Sequence, residues 1–439
     1  MTAWVTHAWA KRLCAVAAFA ALLAASRSGA FAQTPAGEDP FADGAFDAAT
    51  AAAVAGTGGA AAANPSSGTG SVAKTEYLVG GTFLISASSW FGPGIDGYAA
   101  SGSASGKAFA KVSDARAGAL YAAASVREVF FKALSGEDLA ALGRAESLND
   151  PTIELAEFHY SFDVGKKTFF RFGKQLLAWG PSVVWTPVDF VNAEKADFFA
   201  AFDAREGKPG LKLLVPLKSS NVYAFADFSG LVEDGDTLAR DPADRSAFAA
   251  RVDATLVGFE FGLTGYGGPN RQAKGGFDFS GHLLGLAAYG EVAAGPETTG
   301  NDAFIQASLG FSRLIGDLKK WTVSGEGFYN SLGEKLTGDE LALAVATGEA
   351  HPLYVGRYYA YGALKGTDLF FTGHDATLSV TANLTDLSYQ ARLAQDIDVS
   401  GAPPFTFIVS YLGGGKDKEF TYASGDHSFE LTLRSTINF

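Results

Sequence analysis

Apolar and polar residues alternate one by one through most of the chain after about residue 75. In "FIQASLGF" Ile305, Ala307, Leu309 and Phe311 share one parity, and in "ATLSVTANL" Leu378, Val380 and Leu384 stand opposite Thr377, Ser379, Thr381 and Asn383. "WTVSGEGFY" and "LSYQARLA" repeat the pattern, and so does the final "HSFELTLRSTINF". A period of two residues is the signature of a strand with one apolar face. Sixteen such segments are legible between 77 and 439, most of them 9 to 13 residues long. Globular strands average 5 to 6 residues, whereas 9 to 11 suffice to cross a bilayer at a tilt.

Segment 247–267 is too long for one strand. Its apolar phase runs through Val252, Ala254 and Leu256, then flips to Phe259, Phe261 and Leu263 across Val257 and Gly258. A flip beside glycine means a hairpin or a bulge. A hairpin would bring the count to an odd seventeen, while bacterial single-chain barrels close with an even number, so a bulge is expected. Short links at 113–115, 163–166, 215–219 and 316–319 alternate with long ones at 128–151, 178–206, 231–246, 332–352 and 413–426, the asymmetry of a membrane barrel. The link at 384–385 is short on the long-loop side and breaks the rule.

Fifty-three glycines, 35 phenylalanines and only 18% charged residues fit a chain that water does not solvate all round. The polar parity carries Ser, Thr, Asn, Gln and isolated charges rather than the Lys and Glu of a soluble sandwich. An open sheet edge in lipid would leave backbone groups unpaired, so closure follows. The expected fold is all-β, a transmembrane antiparallel up-and-down barrel of about 16 strands, 14 or 18 being admissible, spanning 75–439.

The N-terminal region sets the compartment. Lys11 and Arg12 precede the apolar "LCAVAAFAALLAA", and "AFA" ends at Ala32, so 1–32 reads as a cleaved signal peptide. Residues 33–74 are Ala, Gly, Thr, Ser and Pro, a flexible periplasmic linker. Cys14, the single cysteine, falls in the signal, which leaves no disulfide or cysteine metal site. Taking Lys11, Arg12 and Arg27 from 34 basic residues against 47 acidic ones leaves a formal charge of −16, a poor match to nucleic acid.

Two stretches carry a resemblance. The last strand, with Leu433, Ile437 and Phe439, resembles the C-terminal assembly signal of bacterial outer-membrane barrel proteins. That likeness implies outer-membrane lipid, periplasmic chaperones and the barrel-assembly machinery as partners. "FFRFGKQLLAWGPSVVWTPVDFVNAEK" at 169–195 resembles a strand and loop of porin-like outer-membrane families in Gly173, Lys174, Gln175, Trp179, Gly180, Pro187, Asp189 and Asn192.

Pro and Trp stiffen that loop, and Asp and Asn can cap its turns. It either folds inward as a constriction built on Trp179, Trp185, Asp189 and Asn192, or packs on the rim with the tryptophans in the interfacial girdle. "FFKALSGEDLAALGRAE" and "TGDELALAVATG" have helical spacing and either plug the lumen or cover its rim. Strand parity makes Arg171, Arg251, Asp253, Glu326, Arg392, Glu430 and Arg434 lumen-lining candidates that bias ions or brace the wall.

Three function classes remain. A passive porin for small polar solutes fits best, without cofactor or metal, as a monomer or a homo-oligomer. A transporter of hydrophobic molecules resembling the long-chain fatty-acid transporters would use the many phenylalanines but lacks an apolar N-terminal hatch. A surface adhesin or structural barrel is the third. An enzyme is not expected, because His159, His282, His351, His374 and His427 form no metal or catalytic pattern.

Overall fold

The structure is a computed structural model that describes residues 75–92, 99–114, 116–134, 151–192, 198–200, 202–203, 205–232, 246–269, 271–296, 303–316, 320–347, 351–422 and 426–439. The signal and linker assigned to 1–32 and 33–74 lie outside these residues, as does most of the first helical stretch.

Eighteen strands form one sheet in which each pairs antiparallel with its sequence neighbours. They are β1 (Glu76–Phe91), β2 (Ala99–Asp114), β3 (Gly118–Leu134), β4 (Thr152–Val164), β5 (Thr168–Gln175), β6 (Lys208–Pro216), β7 (Ser220–Asp227), β8 (Ala247–Leu256) and β9 (Phe259–Gly268). The second half comprises β10 (Arg271–Leu283), β11 (Leu286–Pro296), β12 (Ala303–Ile315), β13 (Trp321–Asn330), β14 (Tyr358–Gly366), β15 (His374–Asn383), β16 (Ser388–Ile397), β17 (Phe405–Gly413) and β18 (Ser428–Asn438). β1 also pairs with β18, from Thr82↔Asn438 to Phe91↔Phe429, and that seam closes the barrel. A nine-residue helix, α1 (Gly338–Ala346), lies in the loop after β13, where the spacing predicts one.

Two of the sixteen expected segments are hairpins. Segment 247–267 is β8 and β9 joined by Val257 and Gly258, whose φ values of 53° and 79° make the two-residue turn that matches strand twist, so the bulge expectation was wrong. Segment 278–290 is the end of β10, a turn at Leu284 and Gly285 with φ of 54° and 76°, and the first part of β11. Splitting both turns sixteen into eighteen and keeps the count even. Parity of the count therefore misled, because it was applied while a second hairpin was still hidden.

The alternation read from sequence separates two environments. Along β12, Ile305, Leu309 and Phe311 are exposed outward, Leu309 by 63%, while Ser308 and Ser312 are buried inward. In water such an outer face would forgo roughly 25 cal/mol per Å² of apolar surface, whereas in hydrocarbon it costs nothing. All ladder bonds close on one another, so no strand edge meets lipid. At one end of the seam the Gly81 amide donates to the Phe439 carbonyl at 3.0 Å and the Phe439 amide to the Gly81 carbonyl at 3.1 Å. The long links, 176–207, 331–357 and 414–427, emerge at the opposite end.

Candidate functional site

The loop after β5 turns into the barrel and is held there by two carboxylates from the far wall. β11 and β13 alternate so that Glu291 and Glu326 point inward, and both are buried. Glu291 accepts the amides of Ser182 at 2.8 Å and Val188 at 3.0 Å. Glu326 accepts those of Val183 at 3.0 Å, Val184 at 3.2 Å and Trp185 at 2.8 Å, together with the Tyr289 hydroxyl at 3.0 Å. Between them the Ser182 and Ser308 hydroxyls meet at 2.7 Å. Charge-assisted bonds of this kind are roughly twice as strong as neutral ones, and they satisfy amides that an irregular buried loop leaves without a ladder. Gly180, at φ 102°, lets the chain pass Glu291, since any side chain there would run into that carboxylate and Val188.

Aromatic and aliphatic packing fixes the rest of the loop. Trp179 packs with Leu177, Val191, Phe225 and Ala249. Trp185 is fully buried, stacks on Phe328 with centroids 5.5 Å apart, and donates from Nε1 to the Leu353 carbonyl at 2.8 Å. Neither tryptophan reaches the lipid face. Further along, Phe198 meets Tyr361 edge-on at 5.2 Å and Phe199 lies 5.1 Å from the Arg392 guanidinium, which carries the loop across to β16.

Asp189 and Asn192 act within the loop itself. Asn192 Nδ2 donates to the Leu177 carbonyl and, at 2.8 Å, to Asp189. Asp189 also takes Arg205 at 3.0 Å, and Arg205 forks onto Asp203 through Nε at 3.0 Å and Nη2 at 2.7 Å. Burial opposes the charge on Asp203, but the hydrogen bonds and charge of Arg205 outweigh it and hold the carboxyl below its usual range. Burial likewise opposes the charge on Arg205, and the two aspartates outweigh it. Arg205→Met removes the buried cation that Asp189 pairs with. It is expected to cost about 3 to 5 kcal/mol locally, read as faster hydrogen exchange in 186–206 than in the neighbouring strands.

The loops on this side interlock. Glu419, in 414–427, accepts the Leu353 amide at 2.6 Å, the Tyr359 hydroxyl at 2.7 Å and Asn383 Nδ2 at 2.7 Å, and its own amide donates to Asp386 at 2.8 Å. The Gly338 amide at the start of α1 donates to the Asp417 carbonyl at 2.9 Å. Burial pushes the Glu419 carboxyl up to about 7 against those three hydrogen bonds. A carboxyl raised from 4.5 holds an extra proton in the folded protein between the two values, so its contribution falls as pH rises through that window and is flat above it. Over that range the penalty is on the order of 3 kcal/mol. Proteolysis within 414–422 is expected to be slow at pH 5 and faster at pH 8, and Glu419→Gln should flatten the dependence.

The other inward charges are placed as follows. Arg251 pairs with Asp278 at 2.5 Å and Asp253 at 2.6 Å, a cluster that braces one stretch of wall. Arg171 is buried opposite Lys212 in the β5–β6 register. Arg392, Glu430 and Arg434 point inward on β16 and β18 and are half-buried. Leu433 faces outward, Ile437 shares its parity, and Phe439 closes the seam. Sequence reading missed Glu291, Asp278, Arg205 and Glu419. Segment 278–290 stopped one residue short of Glu291, and recognising the Leu284–Gly285 turn would have put Glu291 in phase with Tyr289. Arg205 and Glu419 lie in loops, where no period marks them.

No described protein family matches the sequence, and no curated protein does. Solved structures do match. A BenF-like porin from Pseudomonas fluorescens Pf-5 is 11% identical, with a TM-score of 0.55 over 83% of this chain and 98% of that one. OccK2 (OpdF) of Pseudomonas aeruginosa is also 11% identical, with a TM-score of 0.54 over 83% and 98%. OprD of the same organism is 8% identical, with a TM-score of 0.52 over 82% and 95%. The fold is that of an outer-membrane porin. At these identities the likeness is one of fold: an 18-stranded closed barrel, as the strand count, the lipid-facing parity and the seam describe independently.

Proposed function

We propose that the protein is an outer-membrane diffusion channel that passes small polar solutes down their gradients. The observation that carries this reading is an inner wall of polar residues in a barrel of 18 strands, with residues 176–192 of the loop after β5 folded against one side of it. Barrels of 16 to 18 strands are wide enough for an aqueous path. Solutes would be sorted by size between the inward loop and the free wall and biased by Arg392, Arg434 and Glu430, which needs neither cofactor nor turnover. Phe439 and the last strand would be engaged by the barrel-assembly machinery during insertion.

The test is conductance of the refolded protein in a planar bilayer under a salt gradient. Stable open steps support the channel, and the reversal potential reports which lumen charges the ions meet. A folded barrel that stays electrically silent would contradict it.

A further inference from the structure

The two halves of the inner wall differ in what covers them. From β5 to β15 many inward residues are buried, among them Arg171, Arg251, Asp278, Glu291, Glu326 and Thr381. Across β18, β1 and β2 the inward face holds a cluster of half-open hydroxyls, Ser86, Ser88, Ser101, Ser103, Ser105 and Thr432, bordered by Leu84, Trp90, Lys107, Glu430 and Arg434. The registers Ser86↔Ser103, Ser88↔Ser101 and Ser88↔Thr432 set them side by side, with Ser86 and Ser103 2.8 Å apart and Ser88 and Thr432 2.6 Å apart. Their short side chains thin the wall at the side away from the loop's anchors. Among its described residues the loop reaches Arg392 of β16 through Phe199, two strands or roughly 10 Å from β18.

Charged inward residues of both signs flank these hydroxyls, and Arg434 stands directly opposite Ser86. Lys107 pairs with Glu157 at 3.0 Å, and Glu430, which accepts from Thr432 at 3.3 Å, shares the inward face of β18 with Arg434. The six hydroxyl side chains themselves carry no formal charge. Each hydroxyl donates one hydrogen bond, accepts two and rotates to suit its partner. Inward positions repeat at about 6.8 Å along a strand and about 4.8 Å between strands, the scale on which the hydroxyls of a six-carbon sugar are spread. A polyol passing here exchanges water for groups that bond as water does, so it sheds hydration at little cost. A carboxylate gains no such replacement from uncharged hydroxyls.

Resting on the channel reading above, we propose that permeation runs along the hydroxyl wall of β18, β1 and β2, and that this wall favours small neutral polyhydroxylated solutes over anions of the same size.

Liposome swelling with the full-length protein tests it, using glucose and the six-carbon dicarboxylate adipate, with potassium chloride conductance measured on the same preparation. The variant is Ser86→Ala/Ser88→Ala/Ser101→Ala/Ser103→Ala, its folding checked by heat-modifiable gel mobility. Glucose entry through the wild type should exceed adipate entry. In the variant it should fall about tenfold, the worth of one net hydrogen bond, while adipate and chloride conductance stay within about twofold. Glucose flux that is unchanged, or that falls in step with adipate, overturns the proposal while leaving the channel intact. A wild type without conductance overturns the channel reading as well.

Discussion

Glu326→Ala frees the inward loop and raises single-channel conductance several-fold, with noisier open levels. The substitution strips the acceptor from three consecutive amides, Val183, Val184 and Trp185, and from the Tyr289 hydroxyl. A buried donor without a partner costs about 1 to 3 kcal/mol, so the loss is on the order of 5 kcal/mol or more, enough to outweigh the packing of one loop segment. Glu291 would still hold Ser182 and Val188, which makes Glu291→Ala/Glu326→Ala the larger effect and Glu326→Gln the smaller, because the amide keeps one oxygen for the three donors. The strands themselves lose no ladder bond. Gel mobility should therefore remain that of a folded barrel while the electrical signature changes. An unchanged conductance in the double variant would mean that the loop does not narrow the path.

Gly81→Leu is expected to reduce folded barrel in the membrane by more than about tenfold, as core overpacking at a closing contact does. A Cβ at Gly81 would lie 2.8 Å from the Phe439 ring and 2.6 Å from the Lys107 carbonyl. Residue 81 makes the last pair of hydrogen bonds that joins the first strand to the last, so the clash falls on barrel closure itself. Gly265→Leu is the control: it too replaces a strand glycine, but nothing lies within 4 Å of its Cβ direction. Heat-modifiable mobility of membrane fractions reads both, and equal yields for the two variants would remove the special role assigned to the Gly81–Phe439 contact.

Alternation alone carries the fold a long way here, because in a membrane barrel each residue meets lipid or lumen and the two faces demand opposite chemistry. Ile305 and Leu309 against Ser308 are readable without a structure. What alternation does not mark is a turn that costs only two residues. Val257–Gly258 and Leu284–Gly285 reverse the chain without any polar interruption, and both sites were absorbed into longer segments. The inward loop was legible as a stiff, unusual stretch in Trp179, Trp185, Asp189 and Asn192, but its anchors were not. Glu291 and Glu326 are separated from it by more than 130 residues at the farthest pair, and nothing in a single sequence ties them to Ser182 or Trp185. Arg251 and Asp253 could be assigned to the inner face by parity, but the pairing of Arg251 with Asp278 as well as with Asp253, which fixes the cluster as bracing, depends on the register of three strands.

The most direct test of a water-filled path beside the inward loop is a planar-bilayer recording of Cys14→Ser/Ser103→Cys before and after adding a membrane-impermeant thiol-reactive cation. A lumen-facing Ser103 on the open wall predicts open channels whose conductance drops in discrete steps on labelling. Channels that never open, or that open and ignore the reagent, would contradict the account.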